Sequence, residues 1–354
     1  MKKNSEPMAN SQPRRPLRRW MLTIGASLVI ATGAYFLQQR FAYATLHRIP
    51  AGLRAFDVNA PIPTCSKWKD TMPKTRAEAP YRLYMNARKL WRSKIEWQLT
   101  RQEALGILHD VQAAANQGDW GARALMAYFY RVGLGPLDKN HVLDPDLDKS
   151  VEIVRMAVAA GQAWGYFDLG VAHEHGYGDA VQDRQIAWAL YLKAAKLGSP
   201  DAQMALASAY LKAQRHDAEN AMLMCAYTQG HGPAAYDLGM REDILKNFAA
   251  AMAYYQVGTK FGSEPSAAAL MFIFDAEDWS SRAKQDQIAL KELGAVPDEE
   301  RTRRYKQIDQ ALDLNRDLKF ARVDHALPLP PAELPAWKGI DDAIAPERDG
   351  PPSY

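Results

Sequence analysis

Apolar residues in the middle of the chain recur with helical spacing, and the same arrangement returns every 32 to 43 residues. Each of five glycines precedes an apolar residue by eight positions, and the glycines are 43, 37, 32 and 32 residues apart. A period of this length is typical of stacked helix pairs. The glycines are Gly118, Gly161, Gly198, Gly230 and Gly262, and their apolar partners are Met126, Leu169, Leu206, Leu238 and Leu270. We therefore predict an all-α, right-handed solenoid of stacked helix pairs.

The clearest repeat unit spans residues 165–198. GYFDLGVAHEHGYG predicts its first helix, and RQIAWALYLKAAKLG predicts its second helix. Gly170 lets a neighbouring helix approach closely, and Gly198 ends the second helix, where a left-handed residue costs glycine least. Ser199 is placed to cap the next helix, and Pro200 is its first residue. The agreement of caps, apolar stripe and period indicates a helical repeat.

The segments around the repeats have different patterns. Two helices over about 77–91 and 100–117 form an atypical first pair, which caps the solenoid. We expect the proline-containing segment before them to be a stalk that packs partly on the first repeat. The predicted domains are a basic cytoplasmic tail at 1–19, a transmembrane anchor or signal segment at 20–38, an extended stalk at 39–76, the helical repeat domain at 77–275, C-terminal capping helices at 276–325 and a Pro-rich tail at 326–354.

The Pro-rich tail contains the run LPLPPAELPAW at residues 327–337. Its prolines favour an extended, polyproline-like conformation. One interpretation is a flexible tail. The other, which we favour, is a segment that lies along the repeats and buries its leucines and Trp337, since apolar side chains gain free energy when they leave water.

Positive charge is concentrated at the N-terminus. Residues 1–40 hold seven Lys or Arg against one Glu, a local charge of +6, so the chain's total of +3 leaves −3 for residues 41–354. Nucleic-acid binding is not indicated for such a body, because that affinity comes largely from Lys and Arg that neutralise phosphates.

An uncharged stretch, WMLTIGASLVIATGAYFL, occupies residues 20–37. Its 18 positions are enough for a helix to cross a bilayer core of roughly 30 Å. The arginines before it predict a cytoplasmic N-terminus. Two interpretations are open: a single-pass inner-membrane anchor with the C-terminal body in the periplasm, which we favour, or a signal peptide cut near Ala44, which would leave a soluble periplasmic protein.

The chain has two cysteines, Cys65 and Cys225. Two are too few for a disulfide framework, although an exported body would permit one bond between them. The separation of the two residues in space cannot be read from the sequence. A disulfide and two unpaired thiols are both open.

Chemistry-bearing motifs are weak. His173 and His175 are two positions apart, which places them roughly 200° apart around a helix and prevents joint chelation of a metal. His173 also stands at an interior position of its repeat. The sequence has no P-loop and no G-x-S-x-G motif. We therefore predict a protein that is not an enzyme, with no catalytic, cofactor-binding or metal-binding residues.

The unit at 165–198 resembles a Sel-one-like repeat, a helix-pair family related to tetratricopeptide repeats. The resemblance covers roughly residues 118–275, and this unit matches best. His173 departs from the pattern, because the family has Tyr there. The matching positions are Leu169, Gly170, Gly176, Gly178, Ala187, Tyr191, Lys193, Ala194, Ala195 and Gly198.

A wider resemblance spans about residues 60–340. In the order of its elements, the chain is similar to a bacterial family of exported repeat proteins associated with type VI secretion effectors. The resemblance implies an immunity protein that binds a phospholipase-type toxin in the periplasm and blocks it. The alternative is a helical-repeat adaptor that organises an envelope or signalling complex. The elements that carry the order are an N-terminal anchor, a Cys before the first helix, the repeats, CAYTQGHGPA at 225–234, ERTRRYKQID at 300–309 and LPLPPAELPAWKG at 327–339.

The partner-binding surface is predicted from the geometry of solenoids. First helices of the pairs line the concave side, and their residues that face away from the repeat leucine are candidates. The insertion at 135–145 in the first full repeat is a second candidate, because insertions between repeat helices often carry binding. We expect it to be separable from the stability of the repeats. The candidate partner-binding residues are Arg131, Asp138, Lys139, His141, Asp168, Glu174, Asp237 and Arg241.

Overall fold

The structure is a computed structural model that describes residues 43–345, together with Tyr35, Gln38 and Arg40. The chain divides into two units, residues 1–48 and residues 49–354. Most of the predicted anchor at 20–38 lies outside the described residues, as do the basic tail at 1–19 and the last nine residues. None of the described helices combines the length and the apolar character that a membrane span requires.

The regular secondary structure of the second unit is helical in its described part. Isolated backbone pairing between Leu134 and Leu143 is the one β-type contact among residues 49–345. Two short 3-10 helices lie at Glu96–Gln98 and Ile340–Asp342. The α-helices are α1 Trp68–Thr71, α2 Glu78–Arg92, α3 Arg101–Asn116, α4 Trp120–Val132, α5 Leu147–Ala159, α6 Ala163–His175, α7 Arg184–Lys196, α8 Pro200–Lys212, α9 His216–Tyr227, α10 Gly232–Ile244, α11 Phe248–Lys260, α12 Glu264–Phe274, α13 Ala276–Ser281, α14 Lys284–Glu292, α15 Glu299–Leu314 and α16 Val323–Ala326.

The helices pack as successive pairs. The pairs are α2 with α3, α4 with α5, α6 with α7, α8 with α9, and α10 with α11. The second helix of each pair packs on the first helix of the next pair. The last pair departs from this order, since α12 packs on α15 while the short helices α13 and α14 lie between them in the chain. The predicted stack of helix pairs is confirmed.

Side-chain caps fix where the repeat helices begin. Asp119, Asp183, Ser199 and Ser263 each accept a hydrogen bond from a backbone N–H in the first turn of the following helix. These bonds satisfy donors that the helix itself leaves unpaired. Helix α3 has the fuller arrangement, a capping box in which Thr100 caps the helix and Glu103 bonds back to the backbone N–H of Thr100.

The repeat leucines form the core, as predicted. Leu206, Leu238 and Leu270 are fully buried, and Leu169 is 6 % exposed. Burial of each such side chain contributes about 1.5–3 kcal/mol relative to leaving it in water. Leu105 of α3 is outside this core, because it is 45 % exposed.

Residues 49–76, here named the N-terminal strap, lie across the repeats. The sequence predicted a stalk on the first repeat, whereas this segment reaches the third and fourth pairs. The Phe56 ring stacks on Trp188 of α7, with ring centroids 5.1 Å apart. Cys65 forms a disulfide with Cys225 of α9 across 160 residues of sequence. The strap therefore packs on the second helix of one pair and is covalently attached to the second helix of the next.

Backbone hydrogen bonds hold the strap where it crosses the turns between pairs. The Gln203 side chain donates to the carbonyl of Ser66 at 2.9 Å, and the Trp68 N–H donates to Gln229 at 2.8 Å. Gly198 lies against this segment with a φ of 94°, and a Cβ there would be 2.2 Å from the nitrogen of Trp68. Glycine is thus required at this turn both by the backbone angle and by the strap.

The strap ends on a buried ion pair. Arg76 Nε lies 2.7 Å from Asp119 Oδ2, and both side chains are buried. The guanidinium also lies 4.4 Å from the ring centroid of Trp120, a cation–π contact. Because Asp119 caps α4, the ion pair connects the strap to the start of the second pair.

Residues 327–345, here named the C-terminal strap, pack on the last pair. Leu327 is fully buried, and Trp337 donates through its ring nitrogen to Gln307 of α15 at 2.8 Å. Arg304, 4 % exposed, donates to the carbonyls of Ala326 and Pro335 at 3.2 and 2.8 Å. The Pro-rich run therefore lies on the helices, and its carbonyls are bound by a buried guanidinium.

The two ends of the helix array meet. Arg88 of α2 donates to Asp317, which follows α15, at an Nη2–Oδ1 distance of 2.8 Å. The two residues are 229 positions apart in the chain. The Arg88 guanidinium holds the pKa of the Asp317 carboxyl below its usual value, although burial acts in the opposite direction.

Candidate partner-binding surface

One position in each first helix forms an uncovered row. It lies two residues after the repeat leucine or methionine, so it projects away from the core. Three of its members are large and exposed: Tyr128 at 37 %, Met240 at 41 % and Phe272 at 46 %. We name the row the first-helix face, and its members are Tyr128, Val171, Ser208, Met240 and Phe272.

More apolar side chains extend this face at the ends of the helices. Val132 of α4 is 49 % exposed, Leu211 of α8 is 46 % exposed and Ile244 of α10 is 72 % exposed. Single exposed apolar residues are ordinary on a protein surface, but a row that repeats along successive helices is a candidate interaction surface. Tyr and Met are also enriched in protein interfaces.

A cavity of about 750 Å³ opens between α2 and the first helices. Its walls carry both signs of charge. Burial lowers the pKa of Arg92, and Asp317 acts against that effect. Side chains that line it are Arg88, Arg92, Tyr128, Asp168, Asp201 and Arg316.

The structure brings three of the predicted partner-binding residues together beside this cavity. Burial raises the pKa of Asp168 to about 6, an effect that Arg131 opposes and Asp201 reinforces. Arg131 hydrogen-bonds to Tyr177. Glu174 accepts a hydrogen bond of 2.6 Å from the Tyr191 hydroxyl. The three are therefore half-buried members of a polar network on α4 and α6.

Two other candidates lie apart from that network, on α10. Asp237 and Arg241 line a groove of about 370 Å³ between α8, α9 and α10. Burial raises the pKa of Asp237, and the negative charge of Glu219 raises it further. Arg241 donates to the side chain of Asn220 at 2.8 Å. The groove is bordered by exposed apolar side chains of the first-helix face and its extension.

The insertion at 135–145 is tied to the first pair. Asn140 is fully buried, and its amide donates to the carbonyls of Glu96 and Leu99. These bonds tie the insertion to the first pair. The sequence analysis expected the insertion to be separable from the stability of the repeats, and the buried amide of Asn140 argues against that expectation. The carbonyls would lose their donor if the loop were removed.

The three candidate residues of the insertion lie at its surface. Asp138 and Lys139 are exposed, and His141 lies 3.1 Å from Asp144. They are distant in the fold from the groove on α10, since they belong to the first full repeat. The structure does not unite the eight candidates into one patch.

No three His, Cys, Asp or Glu side chains converge as metal ligands within the described ranges. His173 is 8 % exposed, and its ring Nδ1 lies 2.7 Å from the carbonyl of Val181. Burial lowers the pKa of His173. The histidine is thus a packed residue at the interior position that the sequence assigned to it.

The apolar members of the first-helix face were missed by the sequence analysis. All eight candidates drawn from the sequence are ionisable side chains. A signal was present, because the position two residues after the repeat leucine holds Tyr128, Val171, Met240 and Phe272 in four of five units. An apolar core position would give the same sequence pattern, so only the burial seen in the structure distinguishes a surface position from a core position.

Residues 266–345 match the model of a domain of unknown function, DUF6396. This range begins in α12 and ends with the C-terminal strap. None of the curated proteins compared with the chain matches it significantly.

Three solved structures from Pseudomonas aeruginosa are similar to this chain. Pseudomonas aeruginosa 5086 (PA5086) is 25% identical, with a TM-score of 0.62 over 77% of this chain and 96% of that chain. Immunity protein Pa5087 is 24% identical, with a TM-score of 0.59 over 76% and 94%. Immunity protein PA5088 is 22% identical, with a TM-score of 0.57 over 76% and 94%. This chain therefore has the helical-repeat fold of Pseudomonas immunity proteins across nearly their whole length.

Proposed function

We propose that this chain is an immunity protein that binds a phospholipase-type effector of a type VI secretion system in the periplasm and blocks it. The observation that carries the proposal is the fold that it shares with the immunity proteins Pa5087 and PA5088. Neutralisation occurs by direct binding, without catalysis by this chain. The lipase class of the effector rests on the resemblance of the sequence.

The first-helix face supports a protein partner. Tyr128, Met240 and Phe272 present apolar area along three first helices, with the polar network of α4 and α6 beside them. A surface with apolar anchors and a polar border has the composition of a protein interface. Its length suits a folded domain rather than a small ligand.

The disulfide supports a periplasmic location. Cys65 and Cys225 are bonded, and such bonds persist in oxidising compartments such as the bacterial periplasm. We propose that residues 20–38 anchor the chain in the inner membrane and that the repeats lie on the periplasmic side. Cleavage near Ala44 would release the same repeats as a soluble periplasmic protein.

Co-expression tests the immunity role. The full chain is expressed together with a panel of lipase-type effectors of type VI secretion systems, each directed to the periplasm, and cell survival is measured. We expect full protection against one effector and none against an unrelated periplasmic toxin. Absence of protection against every one of them would contradict the immunity role. Purification of envelope-assembly proteins in place of an effector would instead favour an adaptor.

A further inference from the structure

The groove between α8, α9 and α10 combines an apolar rim with an acidic floor. Met204 and Leu211 of α8 form one wall, while Met240 and Ile244 of α10 form the other. Leu211, Met240 and Ile244 are each at least 41 % exposed. The floor includes Glu219 of α9, which is 7 % exposed. An apolar rim over a buried carboxylate is an unusual surface to leave open to water.

One charge in the groove is not neutralised. Among the residues that the structure describes, the Asp237 carboxylate has no hydrogen-bond or ion-pair partner. Glu219 has one, His216, whose Nδ1 lies 3.0 Å from Glu219 Oε2. Arg241 lies one helical turn after Asp237, yet it bonds to Asn220 instead. The groove therefore holds two carboxylates and lacks a fixed cation that faces Asp237.

A half-buried carboxylate without a partner is costly, and a cation that enters the groove would remove that cost. The rim sets a second requirement, because the occupant must also offer apolar surface. Arginine and lysine side chains meet both, since an apolar stem carries the charged head. A metal ion or a polyamine head without apolar neighbours would leave the rim in water.

We propose that this groove receives an arginine or lysine side chain of the partner protein, flanked by apolar residues of the same segment. Asp237 and Glu219 bind the cationic head, and Leu211, Met240 and Ile244 contact its stem and the flanking residues. This inference rests on the proposed function, since it names the chemistry of the partner at the α8–α10 part of the first-helix face. Buried charge pairs of this kind act as anchors in protein interfaces.

A small probe tests the groove independently of any effector. The full chain is labelled with ¹³C-methyl methionine and titrated with hexylguanidinium, with hexylurea as the neutral probe of the same shape. Met204 and Met240 line the groove and report binding through their methyl signals. Half-saturation by hexylguanidinium at millimolar concentration is expected, with hexylurea at least tenfold weaker. Equal binding of the two probes would overturn the proposal.

Variants separate a specific contact from general attraction. Asp237→Asn should lower the affinity for hexylguanidinium at least fivefold. Asp243→Asn, on the same helix outside the groove, should change that affinity less than twofold. Equal losses in the two variants would overturn the assignment to Asp237. Asp237→Asn removes a costly unpaired charge, so an unfolding midpoint at or above that of the wild type is expected and verifies that the variant is folded.

The same variants in the co-expression assay distinguish the two proposals. If the chain protects and Asp237→Asn lowers the affinity for the effector at least tenfold, both stand. If the chain protects and Asp237→Asn binds the effector as the wild type does, the groove proposal fails while the immunity role stands. If the groove selects guanidinium over urea but no effector is neutralised, the immunity role fails and the cation site stands.

Discussion

The second helices α7 and α9 and the first helices α8 and α10 are neighbours in the same stack, yet their exposed sides differ. Apolar surface on α7 and α9 is covered by the N-terminal strap, through Phe56 on Trp188 and the Cys65–Cys225 bond. Part of α8 is covered as well, since the Phe56 ring centroid lies 5.6 Å from that of Tyr210. Among the described residues, the side of α8 and α10 that carries the first-helix face has no such cover. Leu211 and Ile244 remain exposed there.

The difference indicates which surface is kept for another molecule. Covering apolar side chains with the chain's own segment stabilises the fold, as the strap does. The apolar row of the first-helix face stays in water, so it does not contribute this free energy unless a partner covers it. The first-helix face is therefore the surface on which we expect binding, and the strapped side is the surface that maintains the scaffold.

The largest expected effect is on the strapped side. Cys225→Ser should lower the free energy of unfolding by about 2–5 kcal/mol, because the disulfide closes a loop of 160 residues in the unfolded chain. Urea unfolding of the full chain measures it. Wild-type protein under reducing conditions should match the variant, and a difference between them would mean that Cys225 acts through packing instead. Affinity for the partner, where the variant is folded, should change little.

The next effect concerns the uncovered side. Met240→Asp should lower the affinity for the effector about 100-fold while leaving the unfolding midpoint nearly unchanged, since a charge at an apolar anchor loses its contacts in the complex. Leu105→Asp is the matched control, because Leu105 is similarly exposed but lies on α3, a second helix. Isothermal titration measures both. Equal losses in the two variants would remove the distinction between the two sides.

The C-terminal strap is held by charge-assisted bonds rather than by a covalent one. Arg304→Met should lower the free energy of unfolding by about 1–3 kcal/mol, because the buried carbonyl of Ala326 and the partly buried carbonyl of Pro335 lose their donor. Arg303→Met is the control and should change the free energy of unfolding far less, since that side chain is 47 % exposed. Chemical denaturation gives both values. A control as costly as Arg304→Met would show that the shared partner Glu300 is what matters.

The smallest effect is on pH dependence. The pKa of Asp168 is raised to about 6, so its proton stabilises the folded state, and that stability is lost as the pH rises from about 4 through 6. Asp168→Asn should match the wild type at pH 4 and be about 1 kcal/mol more stable at pH 7. Unfolding free energies at the two pH values test this. Asp138→Asn, an exposed change in the insertion, should alter neither.

The sequence predicted the parts of the fold that local pattern determines. The period of the glycines gave the pairs, and Leu206, Leu238 and Leu270 are buried where the pattern placed them. Capping residues such as Ser199 predicted where helices begin. Each of these features depends on residues less than a repeat apart, so a single unit is enough to recognise it.

Contacts between distant parts of the chain were beyond that reasoning. The path of the N-terminal strap depends on Cys65 meeting Cys225, and no local pattern encodes a contact across 160 residues. The half-burial of Asp168 is of the same kind, because it depends on the helices that surround the cavity. The sequence pattern places Asn140 in a loop, and only the structure shows that its amide binds the carbonyl of Leu99.

Hydrogen exchange of the full chain, alone and bound to its effector, tests the central claim most directly. The account predicts slower exchange in α8 and α10 on binding, with no change in α7, α9 or the N-terminal strap, because the first-helix face is covered by the partner. Protection confined to the strap and the second helices, with α8 and α10 unchanged, would contradict it.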